Sequence, residues 1–143
     1  MITKKASAVW KGGFKDGGGS ISTATGALSN AAYGVKGRFE NGGPGTNPEE
    51  LIAAAHAACF SMALSLMLGE AGLKPEEIST TAAVTLDKVG DGYAITRSHL
   101  STTAIVPGTD QATFARIADQ AKSGCPVSKL FNATITLDAT LRA

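Results

Sequence analysis

The apolar positions of this chain fall into two patterns, one long unbroken block and several short alternating runs. The block is Leu51 to Leu68, LIAAAHAACFSMALSLML, which carries no formal charge and is dominated by Ala and Leu, both strong helix formers. Asn47 can accept a hydrogen bond from the first unpaired N–H groups, Pro48 suits the first helical position, and Glu50 stands where a capping box wants an acid. The next glycine able to end a helix in a left-handed cap is Gly72. The pattern therefore predicts one helix over 47–72, roughly 24 residues and about 36 Å long.

At about 100° per residue, Leu51, Ile52, Phe60, Met62, Leu64 and Leu66 to Leu68 spread around most of this helix and leave no broad polar face. Such a helix must be covered nearly all round. One narrow strip, Ala54, Ala58, Ser61 and Ser65, is small and would let another backbone come close. A membrane span is the rival reading for an uncharged run of this length. It is disfavoured because His56, Ser61 and Ser65 lie inside the run and no basic residue flanks it to orient it.

The short runs predict strands. Thr3 to Lys11 alternates loosely and ends at Gly12-Gly13, Ser20 to Thr25 follows the Gly17-Gly18-Gly19 turn, and Val35 to Glu40 follows Tyr33-Gly34. Asn41 to Thr46, NGGPGT, is a loop delivering the chain to the long helix. Beyond Lys74-Pro75, Ile78 to Leu86 alternates, Val89 to Gly92 signals a hairpin, and Tyr93 to Val106 returns as a second strand. Asp110 caps a helix with apolar residues at Phe114, Ile117, Ala118 and Ala121, stopping at Gly124; Cys125-Pro126 opens a short helical turn, and Thr134 to Leu141 is the last strand.

This order argues for an α+β fold and against a doubly wound parallel one. The 143 residues read as a single domain: strands and loop over 1–46, the central helix over 47–72, and strands, second helix, a cysteine-bearing segment and last strand over 73–143. A chain of this size cannot wrap so long a helix on every side. An obligate homodimer, with two such helices sharing a core, is the expected solution.

Charge changes the picture by exclusion. Thirteen Lys and Arg against twelve Asp and Glu, scattered rather than clustered, argue against nucleic acid or an anionic membrane as partner. Met1 to Trp10 carries no signal peptide, so the expected compartment is the reducing cytoplasm, where the two cysteines suggest chemistry or chance rather than a structural disulfide.

Cys59, mid-helix among alanines, reads by itself as a small core residue; to be reactive it needs a cation beside it, since apolar surroundings disfavour a thiolate. Cys125, between Gly124 and Pro126, lies near backbone donors, and two thiols together allow one to attack and the other to resolve. Arg38 and Glu49 flank the glycine loop, where surface ion pairing is the ordinary reading of both; an arginine held by a carboxylate also presents a fixed fork that can stabilise a thiolate and bond a peroxide oxygen. His56 shares a helix face with Cys59 and could act as a base or as one corner of a metal site. With no Asp or Asn to orient it and no further His or Cys cluster, a satisfied, partly buried histidine is the better reading. There is no Cys-x-x-Cys, which disfavours a protein disulfide oxidoreductase.

GTNPEELIAAAHAACFSMALSLMLGEAG, LDKVGDGYAIT and AKSGCPVS together resemble the OsmC/Ohr family of hydroperoxide reductases over essentially the whole chain. The resemblance implies an intertwined homodimer with antiparallel sheets wrapped around two antiparallel central helices. It implies a cysteine peroxidase that reduces organic hydroperoxides, and to some extent hydrogen peroxide, without metal, haem or flavin. By it, Cys59 is the peroxidatic thiol, Cys125 the resolving thiol, Arg38 in YGVKGRFE the arginine of the OsmC branch, and Glu49 its carboxylate partner. An external dithiol, of lipoyl type by analogy with the Ohr branch, would restore the thiols. A dimer that merely binds a small hydrophobic ligand, with the cysteines as core, is the alternative. Glu49 and Cys59 stand ten residues apart on the helix, about 15 Å of rise, so either the helix bends between them or Arg38 and Glu49 serve the Cys59 of the other subunit; the second is expected, because nothing from Leu51 to Ala58 is a helix breaker.

Overall fold

The computed structural model describes residues 1–142 and resolves into two compact units, Met1–Leu51 and Ile52–Ala143. The first holds strands β1 (Ala6–Lys11), β2 (Gly18–Thr23) and β3 (Ala31–Tyr33), then a short helix α1 (Val35–Phe39). The three strands form an antiparallel sheet in chain order, with Ala6 opposite Thr23 and Gly19 opposite Tyr33. Glycine is required at Gly19, where a Cβ would lie 2.4 Å from the Tyr33 ring.

The stretch expected as a third strand, Val35 to Glu40, is helical instead, and the third strand lies just before it at Ala31–Tyr33. Apolar residues at Val35 and Phe39 fit a period of two and an i, i+4 helical spacing equally. The deciding contacts are local ones: Glu40 N–H closes onto the Lys36 carbonyl, and the glycine loop folds back so that Thr46 N–H reaches the Ala32 carbonyl at 2.8 Å. Gly45, at φ +92°, permits this approach, since a Cβ there would sit 1.8 Å from the same carbonyl oxygen.

Helix α2 (Pro48–Glu70) begins and ends where its caps require. Asn47 Oδ1 accepts from Glu50 N–H at 2.8 Å. Glu50 takes the Thr46 hydroxyl at 2.7 Å in place of the reciprocal capping-box bond. At the other end Gly72, at φ +78°, lets Leu73 N–H return to the Leu68 carbonyl at 2.9 Å, a Schellman closure.

In the second unit, strands β4 (Glu77–Val89) and β5 (Gly92–Ile105) form a long hairpin, followed by helices α3 (Gln111–Gly124) and α4 (Pro126–Leu130) and strand β6 (Thr134–Arg142). Asp110 caps α3 by accepting from Thr113 N–H at 2.8 Å, and the Thr113 hydroxyl, with that N–H second, holds its carboxyl below the ordinary range. β4 and β5 are antiparallel, but β6 runs parallel to β5, with His99 opposite Thr136. The sheet is therefore mixed, a correction to the expectation of antiparallel sheets throughout. α3 and α4 carry the chain back along the sheet before β6 begins, and a crossover of that kind joins parallel strands.

The core lies on one face of this sheet. Phe60, Leu64 and Leu68 of α2 meet Leu100 and Ala104 of β5 and Phe114, Ile117, Ala118 and Ala121 of α3. Burying each large side chain contributes about 1.5–3 kcal/mol. Ser61, expected in the small strip of α2, faces inward and joins Thr80 at 2.8 Å. The opposite face of α2 is uncovered: Ala54, Ala58, Met62, Ser65, Leu66 and Gly69 are exposed, Met62 at 75% and Leu66 at 62%. Within its own unit α2 is thus covered on one side only.

Candidate active site

Two pairs of side chains single themselves out, one in each unit. In the first, α1 presents Arg38 to Glu49 in the first turn of α2. Arg38 Nε donates to Glu49 Oε1 at 3.0 Å and Nη2 to Oε2 at 3.1 Å, a side-on bidentate pair. Glu49 is buried, and the Arg38 guanidinium lies 5.4 Å from the centre of the Phe39 ring. Around it Trp10, Phe14, Tyr33, Val35, Phe39 and Pro48 line a cavity of about 290 Å³. A planar fork fixed on two oxygens by two parallel bonds has one orientation, and this pairing leaves Nη1 outside the pair.

In the second unit, Cys59 on α2 meets Cys125 at the start of α4, with both sulfurs unoxidised. The residues are 66 positions apart (125 − 59), and the packing of α3 onto the core returns the chain to the helix. Burial pushes the Cys59 thiol up; its hydrogen bond to Cys125 adds to this, and the Val127 N–H acts in the opposite sense. Cys125 is fully buried, whereas Cys59 is only partly so. Cys59 is the more exposed of the two residues.

His56 is fully buried, as a satisfied histidine rather than a base or ligand. Nδ1 bonds Ser98 Oγ of β5 at 2.6 Å, and Nε2 bonds Ser128 Oγ of α4 at 2.8 Å. Phe131 packs edge-on at 4.8 Å between centroids. Both ring nitrogens are occupied, so neither is available to a metal or to Cys59, and burial pushes the imidazole below its ordinary value, towards the neutral form. Sequence reasoning missed both serines. Ser98 was detectable in principle, because it occupies an inward position in an alternating strand, where a polar residue needs a partner. His99 bonds Asp138 on the neighbouring parallel strand at 3.0 Å and also contacts Thr136.

Two cysteines in contact on an α+β scaffold, one partly exposed and the other buried, define the class: this is a cysteine-based redox enzyme. Comparison with known proteins narrows it. The sequence profile of the family described as OsmC-like protein matches residues 40–140. The chain is 57% identical over 142 residues to the peroxiredoxin OsmC of Escherichia coli strain K12, covering 99% of each. It is 36% identical over 101 residues to the organic hydroperoxide resistance protein of Xanthomonas axonopodis pv. citri, covering 70% of this chain and 69% of the relative. Its fold superposes on the crystal structure of the organic hydroperoxide resistance protein OhrB of Bacillus subtilis with a TM-score of 0.72 at 26% identity, covering 99% of this chain and 98% of that one. The chain belongs to the OsmC-like family.

Proposed function

We infer that the protein is a thiol-dependent peroxidase that reduces organic hydroperoxides, and hydrogen peroxide less well. The observation that carries this reading is the contact between a partly exposed Cys59 and a buried Cys125. In the proposed cycle the Cys59 thiolate attacks the O–O bond of ROOH; with a proton, ROH leaves and Cys59 becomes a sulfenic acid. The Cys125 thiol condenses with it, expelling water and forming the disulfide. An external dithiol, of lipoyl type, then reduces the disulfide and is itself oxidised. Arg38, oriented by Glu49, stabilises the thiolate and hydrogen-bonds the peroxide. Its aromatic surroundings suit the hydrocarbon part of an organic substrate.

A homodimer is part of this proposal. Glu49 is the one buried residue within 1–51, so the N-terminal sheet has no apolar core within this chain, and α2 offers an uncovered apolar stripe. A second copy satisfies both. It also supplies the cation: α2 runs unbroken from Pro48 to Glu70, about 15 Å of rise separates Glu49 from Cys59, and the proposed site takes Arg38 and Glu49 from the partner. Near-neutral net charge and a working thiol pair suit a soluble cytoplasmic protein without nucleic-acid or membrane partners.

The test is peroxide consumption by purified protein, offered a bulky alkyl hydroperoxide or hydrogen peroxide with a lipoyl dithiol as reductant. Turnover should be faster with the alkyl hydroperoxide and fall by on the order of 10⁴-fold in Cys59→Ser. Undiminished turnover in Cys59→Ser would overturn the reading, and binding of a hydrophobic ligand with no turnover in either protein would favour a non-enzymatic dimer.

A further inference from the structure

We propose that His56 is a positioning residue for the resolving step, holding the Cys125-bearing turn against the central helix through Ser128. The inference rests on the reading that Cys125 resolves the Cys59 sulfenic acid.

The geometry is a double tie between the same two elements. His56 stands three residues before Cys59 on α2, and Ser128 three residues after Cys125 on α4, so each tie lies one helical turn from the other. One tie is the thiol contact, which breaks and re-forms in every cycle. The other is the 2.8 Å bond from His56 Nε2 to Ser128 Oγ, which takes no part in the chemistry. α4 is only five residues long and has its N-cap at Cys125, so a displacement of Ser128 carries Cys125 with it. The other ring nitrogen is anchored on β5 by Ser98 at 2.6 Å, and Phe131, just past α4, closes the edge of the ring. The imidazole is thus fixed to the sheet on one side and to the resolving turn on the other.

This arrangement answers a chemical need. Once Cys59 is a sulfenic acid, its hydrogen bond with Cys125 is replaced by a larger group, and the first tie no longer holds α4 in place. Condensation, Cys59–SOH + HS–Cys125 giving the disulfide and water, then depends on the second tie to keep Cys125 in reach. If it drifts, a second peroxide can oxidise the sulfenic acid to the sulfinic acid, which the dithiol reductant cannot reverse.

The experiment separates oxidation of Cys59 from its resolution. Wild type, Ser128→Ala, Ser128→Thr, Ser98→Ala and His56→Phe are reduced, mixed with one equivalent of alkyl hydroperoxide, and followed by stopped flow and by dimedone trapping of the sulfenic acid with intact mass. In Ser128→Ala and His56→Phe we expect the sulfenic acid to persist about tenfold longer, with more sulfinic acid after excess peroxide, while the rate of its formation stays within about twofold. Ser128→Thr keeps the hydroxyl and should restore resolution. Ser98→Ala loosens the same histidine from the sheet but leaves the tie to α4, and its sulfenic acid should persist no more than about twofold longer. A sulfenic acid lifetime unchanged in folded Ser128→Ala would overturn the proposal. So would Ser98→Ala slowing resolution as much as Ser128→Ala, since His56 would then be a core residue only. If wild type forms sulfenic acid but never the Cys59–Cys125 disulfide, the resolving role of Cys125 fails instead.

Discussion

Within residues 1–51 the one buried side chain is a carboxylate, and it is held by a guanidinium through two bonds; within 52–143 the buried polar groups are an imidazole, hydroxyls and a thiol. The first unit therefore buries one half of a charge pair and has no apolar core, while the second has the core and leaves its ion pairs, Lys122–Asp119 among them, outside it. Burial there pushes both His56 and Cys59 towards their uncharged forms. Desolvation opposes formation of the thiolate that attacks a peroxide, so a neighbouring cation would favour it. In the proposed site that cation is Arg38, from the unit without a core. In the site proposed above the two meet only in the dimer, so reactivity there would depend on assembly.

The largest test of that division removes the cation. Arg38→Ala should lower kcat/KM for peroxide by about 10²-fold and move the pH at which Cys59 alkylates with iodoacetamide upward, while leaving the Cys59–Cys125 contact in place. Mixing Arg38→Ala with Cys59→Ser then locates the cation. If it comes from the partner, one site in each mixed dimer has an intact thiol and an intact arginine, and activity should return as subunits exchange. No recovery in proven heterodimers would put thiol and arginine in one chain.

A smaller effect is expected from Glu49→Gln, which keeps shape and one hydrogen-bond acceptor but removes the charge that fixes the fork. Peroxide turnover should fall by about tenfold, and Glu49→Asp, with a shorter reach, should fall comparably. If Glu49→Gln retained full activity, the bidentate pair would be structural rather than a part of the site.

The smallest effect concerns acid stability. Burial holds His56 below its ordinary value of 6.5, so below that pH the unfolded chain takes up a proton that the folded chain refuses. Stability is complete above about pH 6.5 and falls as pH drops from there through the folded value, where the loss levels off. Unfolding by urea between pH 7.5 and about pH 5 should show this fall in wild type and a flatter profile in His56→Phe. An equal slope in both would show that the acid sensitivity comes from other groups.

How much of this was legible can be traced through particular residues. Asn47, Pro48 and Gly72 marked the ends of α2 because capping is local chemistry, satisfied within a few residues of the chain. The alternation of β5 and the Asp110 cap of α3 were read for the same reason. Val35 to Phe39 was misread because its spacing satisfies two periods at once, and the loop folding back through Gly45 was not visible in the pattern. The direction of β6 could not be read either, since a strand has the same alternation whichever way it runs.

The sequence by itself determined that α2, α3 and α4 are helical, that β4 and β5 form a hairpin, and which few residue types carry reactive chemistry, because those depend on neighbours along the chain. Only the tertiary structure decided that Cys125 meets Cys59, that Arg38 engages Glu49 by two bonds, and that His56 lies between two serines, 42 and 72 residues away. Contacts at such separations are set by how the sheet and helices pack as whole bodies. No short stretch of the chain encodes them, and the burial that sets the protonation of His56 and Cys59 exists only after that packing has formed.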